Sequence, residues 1–458
     1  MKKILLILLI ALLFASQHSF SQKDNAAITS ELKPYVIKFF DYFKKGEVEK
    51  LYDMFDSTTK KQLPLSQLKM IAKTITFQFG KFNDIIDYNY KTVMNYDALD
   101  VKYDFERAVA SFRFTFTESR KIIGFIIISK EDKSNMFKVP VYADTNSFTE
   151  HEFKFGIEGW KLPGTLSIPK GKGPFPVLIL VHGSGPNDKD ETIGPNKPFR
   201  DLAWGLASKG IAVFRYDKRT KVHGADFMNK IKNYTMKDEV IEDALKAVDT
   251  LKTIENINSE SIFILGHSLG GFALPRIALG RSDVKGLIIM AGTTRNFEDV
   301  ILEQTLYLSS LDTNNSEEKK VAIDTLRAQL KRVKDASLSM DTPTSSLPLN
   351  VGASYWLDIR GYVPAKLAKT LKQPILVIQG ERDYQVTMDD YNIWKNELSP
   401  NKHVSFKLYP KLNHLFMEGI GKSKPAEYET PRNIPEYVII DIADWIKKEI
   451  RSWIKKVK

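Results

Sequence analysis

The sequence has 458 residues, a formal net charge of +11 and no cysteine. The length predicts two domains, and the lack of cysteine argues against disulfide bonds, thiolate metal sites and a lipidated cysteine anchor. The lysine and arginine residues are spread along the chain among 56 acidic residues, without a long basic block. This distribution is typical of a solvated surface, and no motif indicates nucleic-acid binding.

The first residues have the pattern of a secretory signal peptide. Lys2 and Lys3 precede an unbroken apolar run from Ile4 to Phe14, and a short polar segment follows. The apolar run is too short to span a bilayer, and the small residues near Ser21 are typical of a cleavage site. The sequence therefore predicts a signal peptide over residues 1–21 and export of the mature protein to the periplasm or the cell exterior.

Residues 24–130 form a predicted small α+β accessory domain. Two helical patterns come first, in LKPYVIKFFDYFKKGEVEKLYDMF and PLSQLKMIAKTITFQFG, and strand-like alternation follows in ALDVKYDFERAVASFRFTFT and KIIGFIIISKE. Helices followed by segregated strands favour a separate α+β unit. Its aromatic residues, including Phe39, Phe40, Tyr42 and Phe43, are predicted to lie in the core, and no polar constellation in it indicates chemistry.

Residues 140–458 have the pattern of an α/β domain. A hairpin pattern, EHEFKFGIEGWKLPGTLSIPKG, comes first, and from Pro174 onward short apolar runs alternate with helical segments. Continuous apolar strands of this kind predict a mostly parallel sheet with helices on both faces. The apolar runs are PVLILVHG, IAVFRYD, SIFILGHS, KGLIIMAG, PILVIQG and HVSFKLY. In such sheets, functional residues lie at the carboxyl ends of the strands.

Two further segments of this domain are predicted to be helical. Residues 293–372 carry helical patterns and no strand of the core type, which indicates a cap inserted over the site. At the C-terminus, apolar residues recur at helical spacing in VIIDIADWIKKEIRSWIKKVK. This pattern favours a helix packed on the core, and attachment to a membrane surface is the less favoured alternative.

The stretch Gly266-His267-Ser268-Leu269-Gly270 follows an apolar strand pattern and precedes a helical one. A nucleophile elbow needs this context, because the serine sits on a strained turn between strand and helix. Glycines two positions on either side allow the strand and the helix to approach closely. A bare G-x-S-x-G pattern also occurs by chance in ordinary glycine turns, but its position here predicts that Ser268 is a nucleophile.

A nucleophilic serine needs a base, and His414 is the predicted base. It comes just after the last predicted strand, at the carboxyl end of the sheet. The chain has seven histidines. The other six lie in the signal, in the hairpin, in neighbouring loops, in the elbow itself or at the start of the last strand: His18, His151, His182, His223, His267 and His403.

The orienting acid should lie between Ser268 and His414 in the chain, at the end of another strand. Asp383, in QPILVIQGERD, fits this position, and Glu381 is a rival two residues earlier. Asp389 and Asp390 are better explained as the start of a helix, where acids favour the helix dipole. The predicted order of serine, aspartate and histidine is that of the α/β-hydrolase fold.

Acyl transfer also needs donors for the oxyanion. The N–H of Leu269, directly after the nucleophile, is one candidate. The second is predicted in the loop HGSGPNDKDET, with the Ser184 N–H preferred over that of Gly185. The acids of this loop lack the alternation of a calcium loop and are interpreted as a hydrogen-bonded rim: Asp188, Asp190 and Glu191.

These motifs resemble the bacterial α/β-hydrolase carboxylesterases that are exported and carry an N-terminal domain of unknown function and a helical cap. The resemblance covers residues 140–458, with a looser match over 24–130. It is carried by HGSGPNDKDET, FRYDKR, GHSLGGFALPRIA, YWLDIRGY, QPILVIQGERDYQV and NHLF. It implies that Ser268, Asp383 and His414 form the triad. In FRYDKRTKVHG the chain departs from the family, which usually has glycine where Thr220 stands.

The expected function is hydrolysis of a small-molecule carboxylic ester through an acyl-enzyme, without a metal or an organic cofactor. The resemblance implies acyl groups of short or medium length. A serine peptidase, aminopeptidase or thioesterase on the same fold is the alternative, because the triad does not choose between amide and ester. A binding protein that has lost catalysis is disfavoured, because every catalytic residue type is present.

Overall fold

The computed structural model describes residues 25–133, 136–224, 226–227, 233–312 and 316–457. The predicted signal peptide, residues 1–21, lies outside the described residues. The chain divides after Met136 into two compact units. Within the described residues, no helix has both the length and the apolar character needed to cross a membrane.

The first unit is a four-stranded antiparallel sheet in the order β1-β2-β3-β4, preceded by helices. The helices are α1 (Asn25–Lys45), α2 (Val48–Tyr52), α3 (Ser57–Gln62) and α4 (Leu65–Phe79). The strands are β1 (Phe82–Val93), β2 (Tyr96–Phe105), β3 (Ala108–Phe116) and β4 (Ile122–Asp132). The predicted helices and the last three strands are present. Strand β1 was not predicted, because half-exposed and exposed residues occupy its whole length.

Aromatic side chains fill the core of this unit. Phe39 and Phe40 of α1 are buried, as predicted. The Phe40 ring lies 3.7 Å from the Tyr103 ring, centroid to centroid, and Phe39 packs edge-on against Phe114 at 5.0 Å. Together with the buried Ile28, Leu32 and Val36, these rings pack the helix on the sheet, which is a structural use of the aromatic residues.

The second unit contains an eight-stranded sheet in the order β12-β11-β10-β9-β7-β8-β6-β5. The antiparallel hairpin is β5 (Phe148–Phe155) and β6 (Leu162–Pro169), and β6 also pairs antiparallel with β8. The remaining pairs are parallel. These strands are β7 (Phe175–Val181), β8 (Ala212–Tyr216), β9 (Ile257–His267), β10 (Val284–Met290), β11 (Ile375–Gly380) and β12 (Val404–Tyr409).

Helices cover both faces of this sheet, which explains why its central strands are apolar on both sides. One face packs on α7 (Glu242–Leu251), which follows a π-helical turn at Lys237–Ile241, and on α8 (Leu269–Ala278). The other packs on α5 (Pro198–Ala207) and α14 (Glu436–Val457), whose Ile439, Ile442 and Ile446 are fully buried. Short helix α6 (Arg219–Val222) follows β8, and α13 (Met388–Leu398) follows β11.

A helical insertion separates β10 from β11. It contains α9 (Phe297–Leu311), α10 (Glu317–Lys334), α11 (Ala353–Ile359) and α12 (Pro364–Ala368), with 3₁₀ turns at Thr344–Ser346 and Pro348–Asn350. No strand occurs in the described part of this insertion. The prediction of an α/β-hydrolase fold with a helical insertion and a separate N-terminal α+β unit is therefore confirmed.

Candidate active site

Ser268 lies on a sharp turn between β9 and α8. Its backbone has φ 53° and ψ −114°, a region that residues other than glycine rarely occupy. A Cβ on Gly266 would collide with the carbonyl of Gly270, and a Cβ on Gly270 would collide with the carbonyl of Val181. The two glycines are thus required for the close approach of strand and helix, as the elbow pattern predicts.

Asp383 and His414 meet at the carboxyl edge of the sheet. Asp383 follows β11, His414 follows β12, and His414 Nδ1 lies 2.7 Å from Asp383 Oδ2. The other carboxylate oxygen of Asp383 accepts hydrogen bonds from the N–H groups of Gln385 and Val386, at 2.7 and 3.1 Å. With both oxygens occupied, the carboxylate has a fixed orientation and holds the proton of His414 on Nδ1.

The other acids near Asp383 have different positions. Glu381 is exposed, whereas Asp390 is fully buried in the first turn of α13. Asp390 Oδ1 accepts hydrogen bonds from Thr293 Oγ1 and from the N–H of Thr294, both at 2.8 Å. Asp390 therefore ties the beginning of the insertion to the sheet domain.

The loop after β7 runs beside Ser268. A Cβ on Gly183 would lie 3.2 Å from Ser268 Cβ, a tighter contact than most Cβ atoms make, so glycine lets this loop run close to Ser268. The Gly183 N–H donates to Glu191 Oε1 at 2.7 Å, and its carbonyl accepts from Lys218 Nζ at 2.8 Å. Leu269 opens α8, so its N–H belongs to the first turn, where helical N–H groups have no partner inside the helix.

The interpretation of the acidic loop as a rim was wrong for two of its three acids. Asp190 and Glu191 are each only 2% exposed. Asp190 is held by ion pairs with Arg215 at 2.9 Å and Arg200 at 2.5 Å. Asp188 accepts hydrogen bonds from the N–H and hydroxyl of Thr192. Cationic partners allow the two carboxylates to be buried, and the sequence around them gives no sign of those partners.

Glu191 pairs with His267, the histidine of the elbow. Glu191 Oε2 lies 2.7 Å from His267 Nδ1, an ion-pair contact rather than a well-aligned hydrogen bond. His267 Nε2 donates to the His414 carbonyl at 2.9 Å. Burial alone would lower the pKa of His267, but the Glu191 charge and the His414 carbonyl raise it above its ordinary value. Burial would likewise raise the pKa of Glu191, but His267 lowers it.

Two other loop residues support this side of the site. His182 Nε2 donates to the Asp188 carbonyl at 3.0 Å, and burial lowers the pKa of His182 to about 4. It is therefore neutral near pH 7 and shapes the loop, as its position at the end of β7 predicts. Thr220, where the sequence departs from related chains, has its hydroxyl 3.5 Å from the Gly185 carbonyl.

The insertion is anchored on the loops that carry Asp383 and His414. Gln304 of α9 donates to the Gln385 carbonyl at 2.8 Å, and Tyr307 donates to the Ser423 carbonyl at 2.8 Å. The Tyr307 ring also packs on Tyr384, with centroids 5.1 Å apart. Helix α9 is thus fixed next to the acid loop, where it can shape the entrance to the site.

The described residues contain no group of three or more histidine or acidic side chains arranged to hold a metal ion. The chemistry available at the carboxyl edge is that of a serine, two acid–histidine pairs and backbone N–H groups. This set fits acyl transfer by a nucleophilic serine with a general base and an oxyanion site.

Comparisons with known proteins place these features in a family. The model of a hydrolase family described as serine aminopeptidase, S33, matches residues 177–419, and a family of unknown function, DUF3887, matches residues 37–125. Esterase EstD of Thermotoga maritima is 38% identical over 410 residues, which cover 90% of this chain and 94% of that esterase.

Solved structures of more distant esterases are also similar. Est1E of Butyrivibrio proteoclasticus is 15% identical, with a TM-score of 0.42 over 66% of this chain and 99% of its own. Esterase PF2001 of Pyrococcus furiosus is 13% identical, with a TM-score of 0.41 over 66% of this chain and 92% of its own.

Proposed function

The chain belongs to the α/β-hydrolase family that includes Esterase EstD, and we propose that it is an exported serine esterase acting on small-molecule carboxylic esters. The observation that carries this proposal is the 2.7 Å contact of His414 Nδ1 with Asp383 Oδ2 at the same sheet edge as the strained Ser268. The identity over most of the chain supports an ester substrate.

In the first half-reaction, Ser268 Oγ attacks the ester carbonyl carbon while His414 Nε2 takes the hydroxyl proton. Asp383 stabilises the imidazolium that forms. The Leu269 and Ser184 N–H groups bind the carbonyl oxygen as it becomes an oxyanion. The C–O bond to the alcohol then breaks, and His414 gives its proton to the departing alkoxide, leaving an acyl group on Ser268.

Water completes the cycle. His414 takes a proton from a water molecule, whose oxygen attacks the acyl carbon. The tetrahedral intermediate collapses, Ser268 recovers its proton from His414, and the carboxylic acid leaves. Each step balances with water as the only co-reactant, so the scheme uses no further cofactor.

The test is hydrolysis by residues 22–458 of p-nitrophenyl esters of increasing acyl length, beside aminoacyl anilides and the variant Ser268→Ala. We expect ester hydrolysis that falls by at least about 10³-fold in the variant. Cleavage of anilides alone would replace the esterase with an aminopeptidase, the activity in the description of the matching family model. No turnover of either class would contradict the proposal.

Export is supported by the charged and apolar pattern of residues 1–21. The full chain, expressed in a bacterium, should be recovered from the periplasm or the medium without these residues. Mass spectrometry of its N-terminus gives the cleavage site. Recovery of the intact chain from the cytoplasm would contradict export without affecting the esterase proposal.

A further inference from the structure

A buried chain of contacts joins three segments around Ser268. It begins at the Gly183 N–H, which donates to Glu191 Oε1 at 2.7 Å. It continues from Glu191 Oε2 to His267 Nδ1 at 2.7 Å, and ends where His267 Nε2 donates to the His414 carbonyl at 2.9 Å. Glu191 and His267 are each 2% exposed, so these contacts are shielded from water.

One end of this chain fixes the proposed oxyanion loop. The N–H of Gly183 is held by Glu191, while its carbonyl is held by Lys218 at 2.8 Å and by Asn187 Nδ2 at 3.2 Å. In a trans peptide, a carbonyl and the following N–H point in opposite directions. Fixing the Gly183 carbonyl therefore also fixes the direction of the Ser184 N–H, the proposed oxyanion donor.

The other end fixes the loop that carries the proposed base. The carbonyl bound by His267 is that of His414 itself, and the two imidazole rings lie 4.6 Å apart, centroid to centroid. Because His267 directly precedes Ser268, the same side chain ties the elbow to the base. The backbone of His414 thus has a fixed distance from the nucleophile.

The contacts also indicate the protonation state of the Glu191–His267 pair. A neutral imidazole donates from one ring nitrogen only, but both nitrogens of His267 face oxygen acceptors. The pair is satisfied when His267 is an imidazolium and Glu191 a carboxylate, in agreement with the directions of their pKa shifts. The other titratable groups near the pair are His182 from the loop after β7, Asp383 from the loop after β11 and His414 from the loop after β12.

We propose that Glu191 and His267 are positioning residues that hold the oxyanion loop and the His414 loop at fixed distances from Ser268. This inference rests on the proposed esterase function. Neither side chain contacts the substrate in this proposal. Their effect is on kcat, because a small displacement of the oxyanion donor or of the base weakens interactions that form only in the transition state.

The first experiment compares Glu191→Ala with Glu191→Gln on p-nitrophenyl acetate. Active sites are counted by titration with a serine-directed phosphonate, so that unfolded protein does not contribute. Glu191→Ala should lower kcat by about 10- to 100-fold with KM changed by less than about 3-fold. Glu191→Gln should recover most of kcat, because its amide oxygen can accept from Gly183 and its NH₂ can donate to a neutral His267.

The pH profile separates this role from a general effect on folding. In the wild type, kcat should fall at alkaline pH as His267 loses the proton that the pair requires. In Glu191→Gln burial lowers the pKa of His267 without an opposing carboxylate charge, so this alkaline fall should be absent. A destabilised but otherwise normal site would keep the wild-type profile.

Asp201→Asn is the matched control, since it also changes a buried carboxyl to an amide. Asp201 accepts hydrogen bonds from Asn433 and Ile434, and neither of these bonds involves Glu191, His267 or His414. Its kcat per titrated site should stay within about 2-fold of the wild type. Wild-type kcat and pH profile in Glu191→Ala would overturn the positioning role. An inactive wild-type protein would instead contradict the esterase proposal.

Discussion

Two acid–histidine pairs lie at the carboxyl edge of the sheet in this molecule, and they differ most clearly at Nε2 of the histidine. Asp383–His414 and Glu191–His267 have the same 2.7 Å contact from a carboxylate oxygen to Nδ1. His267 also uses Nε2, which binds the His414 carbonyl. His414, in contrast, has a hydrogen-bond partner among the described residues at Nδ1 but not at Nε2.

The difference at Nε2 suits the two histidines to different roles. A base needs an unoccupied nitrogen that can receive a proton from the nucleophile. His414 meets this condition, whereas His267 has committed both nitrogens to the protein. The second pair therefore fits a structural role in holding the first.

The largest difference is expected when each histidine is replaced by glutamine. His414→Gln removes the proposed base and should lower kcat by about 10⁴-fold or more. His267→Gln keeps an amide that can bind the His414 carbonyl, and should cost at most about 100-fold. Steady-state kinetics on p-nitrophenyl acetate measures both, and equal losses would mean that the two roles are not separate.

A smaller effect is expected from Lys218→Met, which removes the shorter of the two hydrogen bonds to the Gly183 carbonyl, while Asn187 still binds that carbonyl and Glu191 still holds the N–H. We expect kcat to fall by about 3- to 10-fold. Because Lys218 and Glu191 act on the same loop, the double variant Lys218→Met/Glu191→Ala should lose less than the product of the single losses. Strict multiplication in this double-mutant cycle would show that the two contacts work independently.

The sequence predicts one of the two pairs and not the other, for a physical reason. Asp383 and His414 each follow an apolar strand, and strand ends in a parallel sheet converge at one edge. Glu191 stands in a run of polar residues, where nothing local distinguishes a buried acid from an exposed one. Its burial depends on His267, which is distant in the chain, and only the folded structure brings them together.

Burial likewise determines which other parts of the fold leave a readable pattern in the sequence. The apolar strands from β7 onward were predicted because burial on both faces leaves a continuous pattern in the sequence. Strand β1 has no such continuous apolar pattern, because its residues are at most half-buried. In FRYDKR, Arg215, Lys218 and Arg219 read as exposed basic residues, yet each is at most 2% exposed because acidic partners surround it.

The smallest expected effect, a change in thermal stability, concerns Asp201. Unlike Asp383 and Glu191, this buried carboxyl is not paired with a histidine. Hydrogen bonds from the Ile434 N–H and from Asn433 Nδ2 hold Asp201, and burial raises its pKa to about 8. Glu191 is equally buried but has a lowered pKa because His267 faces it. The partner, rather than burial, therefore determines whether a carboxyl in this core is charged.

The variant Asp201→Asn tests whether Asp201 is uncharged in the folded state, through the pH dependence of stability. The folded state keeps the Asp201 proton up to about pH 8, whereas the unfolded chain loses it near pH 4. The folded state thus binds more protons in this range, and stability falls as the pH rises. The variant lacks this loss, so its Tm relative to wild type should rise by about 5 °C from pH 5 to pH 8. A Tm difference that is independent of pH would mean that Asp201 is charged at neutral pH, and that burial in this core does not by itself neutralise a carboxyl.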